Sequence, residues 1–375
     1  MKFVHIGDLH LGRVIHQTSL LDIQRELLFE LLEYMDQENI RFLVIAGDVY
    51  DRLIPSQEAV CLLDQFLEKA LLTYHIEIVM ISGNHDSRDR LHFASSIMSS
   101  MGLHIETYLK KEMVYIQNGQ VRFYLLPFMK PTDVKNLYQE DDIHSYQEAM
   151  AYYLSKQHID PNYCNVLITH QFVGKNSIVS DSELPLSVGG SEIIDSSLFQ
   201  EFDYVALGHL HAPQKVSRET IRYSGSLMCY SFDEVHQQKS ITVVDTDDMA
   251  IQLHELHPSQ TLQKYKGTFE QFMDPLFISD KEDFLAFELE DHTVIPHAID
   301  QLRTLYPHLL QITYTYFLQQ QSQVSQRTIQ KFEETKLHVL FSEFYQEMKQ
   351  QELTLEQIGI VKELLEKAGV DNETH

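Results

Sequence analysis

Tryptophan is absent from the 375 residues, cysteine occurs three times, and basic residues are scarce, 29 Lys and Arg against 55 Asp and Glu. Each shortage excludes something. Cys61, Cys164 and Cys229 are odd in number and far apart, which excludes a disulfide framework and points to a reducing compartment, the cytoplasm. No apolar run reaches the ~18 residues of a membrane span. Met1-Lys2-Phe3 leads directly into a strand, leaving no room for a signal peptide. The formal net charge of -26 argues against a chain that holds duplex DNA alone, because such binders present a basic face to the phosphates. With 43% hydrophobic residues, the chain can build one large domain and one or two small ones.

Histidine, by contrast, is plentiful, at 20 residues. Five motifs in the first 211 residues carry seven side chains able to hold two divalent ions: Asp8-Leu9-His10, Gly47-Asp48, Gly83-Asn84-His85-Asp86, Thr169-His170 and Gly208-His209-Leu210-His211. Each follows or ends a short apolar run of the strand type, at 3–6, 42–46, 76–81, 165–168 and 204–207. The ligands are therefore expected at strand C-terminal ends, where α/β folds gather their sites. Imidazole, carboxylate and one amide oxygen, without thiolate, form a fairly hard donor set suited to manganese, iron or zinc and unlike a structural zinc site. In Asp-x-His and His-x-His, residues two apart on an extended chain face the same way. An aspartate such as Asp48 is able to bridge two ions, and a two-ion site hydrolyses phosphoesters. Taken singly, a Gly-Asp after a strand is usually a turn and a lone His an ordinary surface or core residue. The ordered set carries the signal.

That order resembles the calcineurin-like metallophosphoesterase superfamily. Gly47-Asp48-Val49-Tyr50-Asp51-Arg52, Ile81-Ser82-Gly83-Asn84-His85-Asp86-Ser87, Tyr204-Val205-Ala206-Leu207-Gly208-His209-Leu210-His211 and Tyr223-Ser224-Gly225-Ser226 resemble the SbcD family, the nuclease subunits of bacterial SbcC-SbcD complexes. The resemblance is weakest at about 130–165 and near 320. It implies an α/β fold, a calcineurin-like β-sandwich flanked by helices, with a small α+β capping domain and C-terminal helices. It also implies one metal on Asp8, His10, Asp48 and His211, a second on Asp48, Asn84, His170 and His209, and Mn(2+) as the ion. His85 then faces the phosphate as proton donor to the leaving oxygen or as transition-state stabiliser, with Asp86 orienting it from behind. Many archaeal relatives carry histidine where this chain has Asp51. The implied activity is ATP-dependent 3'-5' exonuclease action on duplex ends and endonuclease action on single strands and hairpins, in DNA repair, recombination and replication. The implied partners are DNA, a coiled-coil ATPase of the SbcC type and a second copy of the chain within a heterotetramer, with no membrane. Two bound cations and a partner protein would offset the acidic charge. Arg13, Arg52, Arg88 and Arg90 read either as phosphate contacts or as ordinary loop charges.

Helical periodicity marks three segments in the first half. Ser19 is expected to cap a helix with the stripe Leu20, Ile23, Leu27, Leu31 and Met35, and 57–72 and 91–101 are amphipathic. The resemblance makes the last two a homodimeric four-helix bundle, whereas the residues equally allow burial on the chain's own sheet. Closing strands are expected at 240–244 and 250–256, then a strand-helix-strand unit at 284–289, 296–305 and 310–316. The expected domains are 1–257 for phosphoester hydrolysis, 270–317 as the cap, and 330–375 as partner-docking helices beyond a Gln-rich linker at 319–326. In that last segment Leu337, Leu340, Phe341, Phe344, Tyr345 and Met348 form one stripe. Thr354 and Gln357 form a capping box that opens a second, Ile358, Val361, Leu364, Leu365 and Ala368. These helices either pack on the body or dock in a partner groove. Two other functions fit parts of the pattern. Gly47-Asp48-x-x-Asp51-Arg52 resembles a protein phosphatase motif, but Leu53 and Asp86 depart from it. A non-enzymatic adaptor requires lost ligands, and none is lost.

Overall fold

The computed structural model describes residues 1–175, 177–183 and 192–316, and beyond them 341–342, 345–346, 351, 353–354, 357–361 and 364. The chain opens with β1 (Lys2–Ile6), a hairpin of β2 (Val14–Ile15) and β3 (Thr18–Ser19), α1 (Leu21–Gln37), β4 (Phe42–Ile45), α2 (Gln57–Glu68), β5 (Glu77–Ile81), α3 (Arg88–His92), α4 (Ser95–Met98) and β6 (Leu103–Glu106). Strands β1, β4, β5 and β6 are parallel neighbours. A second set follows, with β7 (Val114–Asn118), β8 (Val121–Leu126), α5 (Pro131–Tyr138), α6 (Tyr146–Ser155), β9 (Cys164–His170), β10 (Tyr204–Gly208), β11 (Gln214–Val216) and β12 (Arg218–Tyr223). Then β13 (Ile241–Asp245) and β14 (Ala250–His254) return to the first sheet, β13 running antiparallel to β1. The two six-stranded sheets have the orders β14-β13-β1-β4-β5-β6 and β11-β12-β10-β9-β8-β7.

Strand periodicity explains the layering. Alternate residues point to opposite faces, so Phe3, Phe42, Val44, Val79 and Ile81 of the first sheet meet Phe123, Leu125, Val166, Ile168, Tyr204 and Ala206 of the second in one buried cluster. Phe123 seals it, stacked on Phe42 at 4.1 Å and edge-on to Phe3 at 5.3 Å between ring centroids. The residues between them, Val4, Ile6, Leu43, Ile45, Ile78 and Met80, turn outward to α1 and α2. Val205, Leu207 and Leu167 likewise belong to a separate core with Met150 and Tyr153 of α6.

Three helix expectations are modified. Ser19 is not the cap residue of α1: the hairpin claims it as a strand residue and Leu20 stands at the cap, although the Ser19 hydroxyl still accepts from the Leu21 amide at 3.3 Å. The 57–72 helix forms as α2, capped by Ser56, whose hydroxyl accepts from the Ala59 amide at 3.2 Å, and ends in a π-helical turn, Lys69–Thr73. It buries Ala59, Leu62, Leu63 and Phe66 in its own core. The 91–101 helix breaks into α3, α4 and a 3₁₀ turn because Ala94 adopts a left-handed conformation, φ 59°. Phe93 (78% exposed), Ile97 (73%) and Met101 (57%) are left facing outward.

Beyond β14, β15 (Leu262–Gly267), α7 (Phe269–Phe272), β16 (Phe284–Leu289), α8 (Ala298–Arg303) and β17 (Leu309–Tyr314) follow, the strands forming a separate sheet in the order β15-β16-β17. Pro296 lies before α8 and not in its first turn, because His297 between them is left-handed, φ 54°. By internal contacts the chain divides into one compact unit of Met1–Lys264, Ser279–Ala286 and Tyr306–Gln311 and another of Tyr265–Ile278, Phe287–Leu305 and Ile312–His375. In the latter, Phe272 stacks on Phe287 at 4.0 Å. Thr354 and Gln357 make their reciprocal cap, Thr354 N to Gln357 Oε1 at 2.9 Å and Gln357 N to Thr354 Oγ1 at 3.3 Å. The 319–326 linker and most of both C-terminal stripes lie outside the described residues. Among the described residues no helix is long and apolar enough to cross a membrane.

Candidate metal centre

Five adjacent strand ends deliver the donors. Asp8 and His10 follow β1, Asp48 follows β4, and Asn84 and His85 follow β5. His170 ends β9, and His209 and His211 follow β10. The loops are tied across by backbone bonds, Asp8 N to Gly47 O at 3.1 Å and His10 N to Asp48 O at 2.9 Å. Asp8 (φ 52°), His10 (φ 43°), Asp48 (φ 48°) and His209 (φ 111°) all hold positive φ, a costly conformation for residues with a Cβ and one that clusters at functional sites. Glycine makes the crowding possible. A Cβ on Gly208 would collide with the Ala46 carbonyl oxygen, and one on Gly83 with the Asp48 carboxylate.

The side chains converge in two linked groups. His10 Nε2 lies 3.1 Å from His211 Nε2, with Asp8 in the same cluster. Asn84 Oδ1 lies 3.0 Å from His170 Nε2 and 3.2 Å from His209 Nδ1. Asp48 Oδ2 stands between the groups, 3.3 Å from His170 Nε2 and 3.7 Å from His10 Nε2. Hydrogen bonding at the far nitrogens sets the tautomers. His170 Nδ1 donates to the Ala46 carbonyl at 2.8 Å, which turns its Nε2 toward Asn84 Oδ1 and Asp48 Oδ2. His211 Nδ1 faces the Ser182 hydroxyl at 2.6 Å and the Glu234 carboxylate at 3.1 Å, so its Nε2 lone pair is turned to His10 Nε2. Imidazole, carboxylate and amide donors crowded together in one buried cluster fit divalent metal.

Electrostatics agree. Burial holds His10 well down, lowers His211 and brings His209 to about 3, so all three favour the neutral, ligating form. Burial also raises Asp8, helped by the Asp48 charge. For Asp48, burial is outweighed by the charge and hydrogen bond of His170, with His10 and His85 beside it, and its carboxyl falls far below the usual range. His170 in turn rises to about 9 against its own burial because Asp48 adjoins it. An ion taking that place displaces a proton.

Asp86 does not orient His85. Its carboxylate, raised to about 6 by burial and the Asp48 charge, accepts from the amides of Gly83 (2.9 Å), Tyr50 (3.0 Å) and Val49 (3.1 Å). It ties the Asp48 loop to the Asn84 loop, and its hydrogen bonds go to backbone amides and not to the His85 imidazole. His85 is held from elsewhere, its Nδ1 donating to the Asp51 carbonyl at 3.0 Å and its Nε2 lying 4.0 Å from Asp48 Oδ2. The arginines also divide. Arg88 is engaged by Asp133 at 2.8 Å and the Phe128 carbonyl at 3.0 Å, which fixes α5 and takes Arg88 out of the expected phosphate contacts. Arg13 pairs with Asp51 at 2.8 Å, Arg52 (70% exposed) reaches the same carboxylate at 3.4 Å, and Arg90 is exposed. Four residues with no sequence signal join the site: Ser182, Glu183, Glu234 and Lys239. Glu183 Oε1 accepts from the His211 amide at 2.5 Å, and burial raises its carboxyl to about 7. They lie in loops without period or motif, which concealed them.

Known proteins match both ends of the chain. A family model for calcineurin-like phosphoesterases matches residues 1–213, and one described as the type 5 capsule protein repressor C-terminal domain matches 258–349. A Staphylococcus epidermidis protein, named as the SbcD component of nuclease SbcCD, is 34% identical over 372 residues, 97% of this chain and 98% of its own. A protein of the same name from Staphylococcus saprophyticus is 34% identical over 322 residues, 84% of this chain and 85% of its own.

Proposed function

This chain belongs to the calcineurin-like phosphoesterases, on their SbcD branch, and from that premise we propose that it is the metal-dependent nuclease subunit of an SbcC-SbcD-type complex. One observation carries the reading: seven metal donors from five strand ends converge around Asp48. Asp8, His10, Asp48 and His211 would hold one ion, and Asp48, Asn84, His170 and His209 the other, Asp48 serving both. Bound there, two divalent ions, Mn(2+) foremost, supply Lewis acidity toward a phosphodiester and an activated water.

The protein's own residues do the rest. His85 presents Nε2 to the cluster from a ring anchored at Nδ1, and its side chain keeps 10% exposure, so it can pass a proton to the leaving oxygen. Asp86 fixes the spacing of the Asp48 and Asn84 loops from behind. Arg13 and Arg52, already beside the site, are the candidate DNA-phosphate contacts. The substrates are duplex ends, processed 3' to 5' with ATP, and single strands and hairpins, cut internally, in repair, recombination and replication in the cytoplasm. Residues 1–257 form the nuclease domain, 270–317 the cap, and 330–375 dock on the coiled coil of an SbcC-type ATPase. The outward Phe93, Ile97 and Met101 support pairing of two copies within a heterotetramer. A cleavage assay on blunt, hairpin and single-stranded DNA with Mn(2+), with and without the ATPase and ATP, tests the whole reading. Cleavage of phosphoprotein but not DNA would select a phosphatase, and failure to bind metal an adaptor.

A further inference from the structure

Behind the cluster, His211 is gripped in a way that the other imidazoles are not. Its Nε2 faces His10, while its Nδ1 lies 3.1 Å from Glu234 Oε1 and 2.6 Å from Ser182 Oγ. Glu234 is completely buried. Its Oε1 also accepts from Ser180 Oγ at 3.0 Å and from Ser182 Oγ. Its Oε2 accepts from the Tyr230 amide at 3.1 Å and from Lys239 Nζ at 2.6 Å. Lys239 extends the grip, since its three N–H groups are shared between Glu234 and three further acceptors within reach, the His211 carbonyl at 2.8 Å, Ser226 Oγ at 2.9 Å and Gln237 Oε1 at 2.8 Å. Lysine and carboxylate therefore hold His211 at ring and backbone together.

The contrast within the cluster gives this weight. His170 and His85 place their far nitrogens on neutral carbonyls, and His10 Nδ1 has no hydrogen-bond partner. Among the described residues, His211 is the cluster imidazole whose far nitrogen lies within hydrogen-bond distance of a carboxylate. A buried carboxylate with a lysine counter-ion is costly to maintain for packing alone. Placed on the N–H of a metal-ligating imidazole, it fixes the tautomer and ring plane and makes the other nitrogen a stronger donor.

We propose that Glu234, anchored by Lys239, is a positioning residue that holds His211 as a metal ligand and strengthens the ion on the Asp8, His10 and His211 side over the one on the His170 side. This rests on the two-ion reading of the site, and the test separates the two. Mn(2+) binding to the full chain is titrated calorimetrically for wild type and Glu234→Gln, which keeps shape and removes charge. The expected result is two ions in both proteins, with the tighter dissociation constant weakened by about 10- to 100-fold in the variant and the other unchanged. Far-ultraviolet circular dichroism without metal should match wild type. If Glu234→Gln misfolds, Ser182→Ala removes one hydroxyl from the same carboxylate oxygen and should weaken that ion by about 2- to 10-fold. Wild-type affinities in a folded variant, or weakening of the looser ion alone, overturn the proposal. Failure of wild type to bind two ions overturns the two-ion reading itself.

Discussion

Substituting alanine for Gly208 adds one carbon where the two sheets' strand ends come closest. The new Cβ would stand 2.6 Å from His170 Nδ1 and 3.0 Å from the Ala46 carbonyl carbon, and would overlap the Ala46 oxygen. Ala46 O is the acceptor that holds His170 at 2.8 Å, so relieving the clash breaks the bond that sets that imidazole's tautomer. Overpacking of this kind costs about 1–3 kcal/mol, and the lost hydrogen bond about 1 kcal/mol more. A total of about 2–4 kcal/mol is expected. Displacement of His170 by roughly 1 Å should lower turnover by about 10²-fold. Gly119→Ala is the control. Gly119 has a left-handed φ of 59° but nothing within 4 Å of an added Cβ, so it should cost about 1 kcal/mol in backbone strain and no activity. With no tryptophan in the chain, urea unfolding is followed by circular dichroism, alongside Mn(2+)-dependent cleavage of single-stranded DNA. Equal behaviour of the two variants, or full activity in Gly208→Ala, would refute the close-approach argument.

Asp48→Ala removes the oxygen that stands between the two groups of donors, so cleavage should fall to background at any Mn(2+) concentration, and substantial residual activity would end its bridging assignment. His85→Ala should leave metal content by elemental analysis near wild type while turnover drops by about 10² to 10⁴; loss of metal would make His85 a ligand instead. Deleting 330–375 should spare Mn(2+)-dependent cleavage of single strands and abolish ATP-stimulated processing of duplex ends, with undiminished binding to the ATPase in a pull-down as the contrary result. The last prediction concerns pH. Burial, with the Arg222 charge, lowers His5 from 6.5 to about 3, although its Nδ1 is bonded to Tyr204 at 3.0 Å. The unfolded chain therefore binds a proton that the native His5 refuses, and stability falls as pH drops from about 6.5 toward 3. Urea midpoints across that window should decline less steeply in His5→Asn, and parallel curves would show that His5 does not contribute.

Sequence by itself determined the five strands that carry the site and the candidate donors at their ends. A short apolar run ended by glycine and a polar ligand reads the same in any context, because period-two burial and a turn at the strand end are local requirements. Asp8, His10, Asp48, Asn84, His170, His209 and His211 were legible for that reason; the calcineurin-like resemblance followed from their order, and the SbcD resemblance from the residues around them. Tertiary structure decided what depends on distant partners. Ser19 went to a hairpin strand, Ala94 broke a helix that periodicity alone would have continued, and Asp86 bound backbone amides of another loop where an imidazole had been expected. The grip on His211 spans loops that are 52 residues apart between Ser182 and Glu234. No periodicity links such residues. They are brought together because β9, β10 and β12 lie side by side in parallel, and the loops leaving their C-terminal ends must satisfy each buried polar group where it falls.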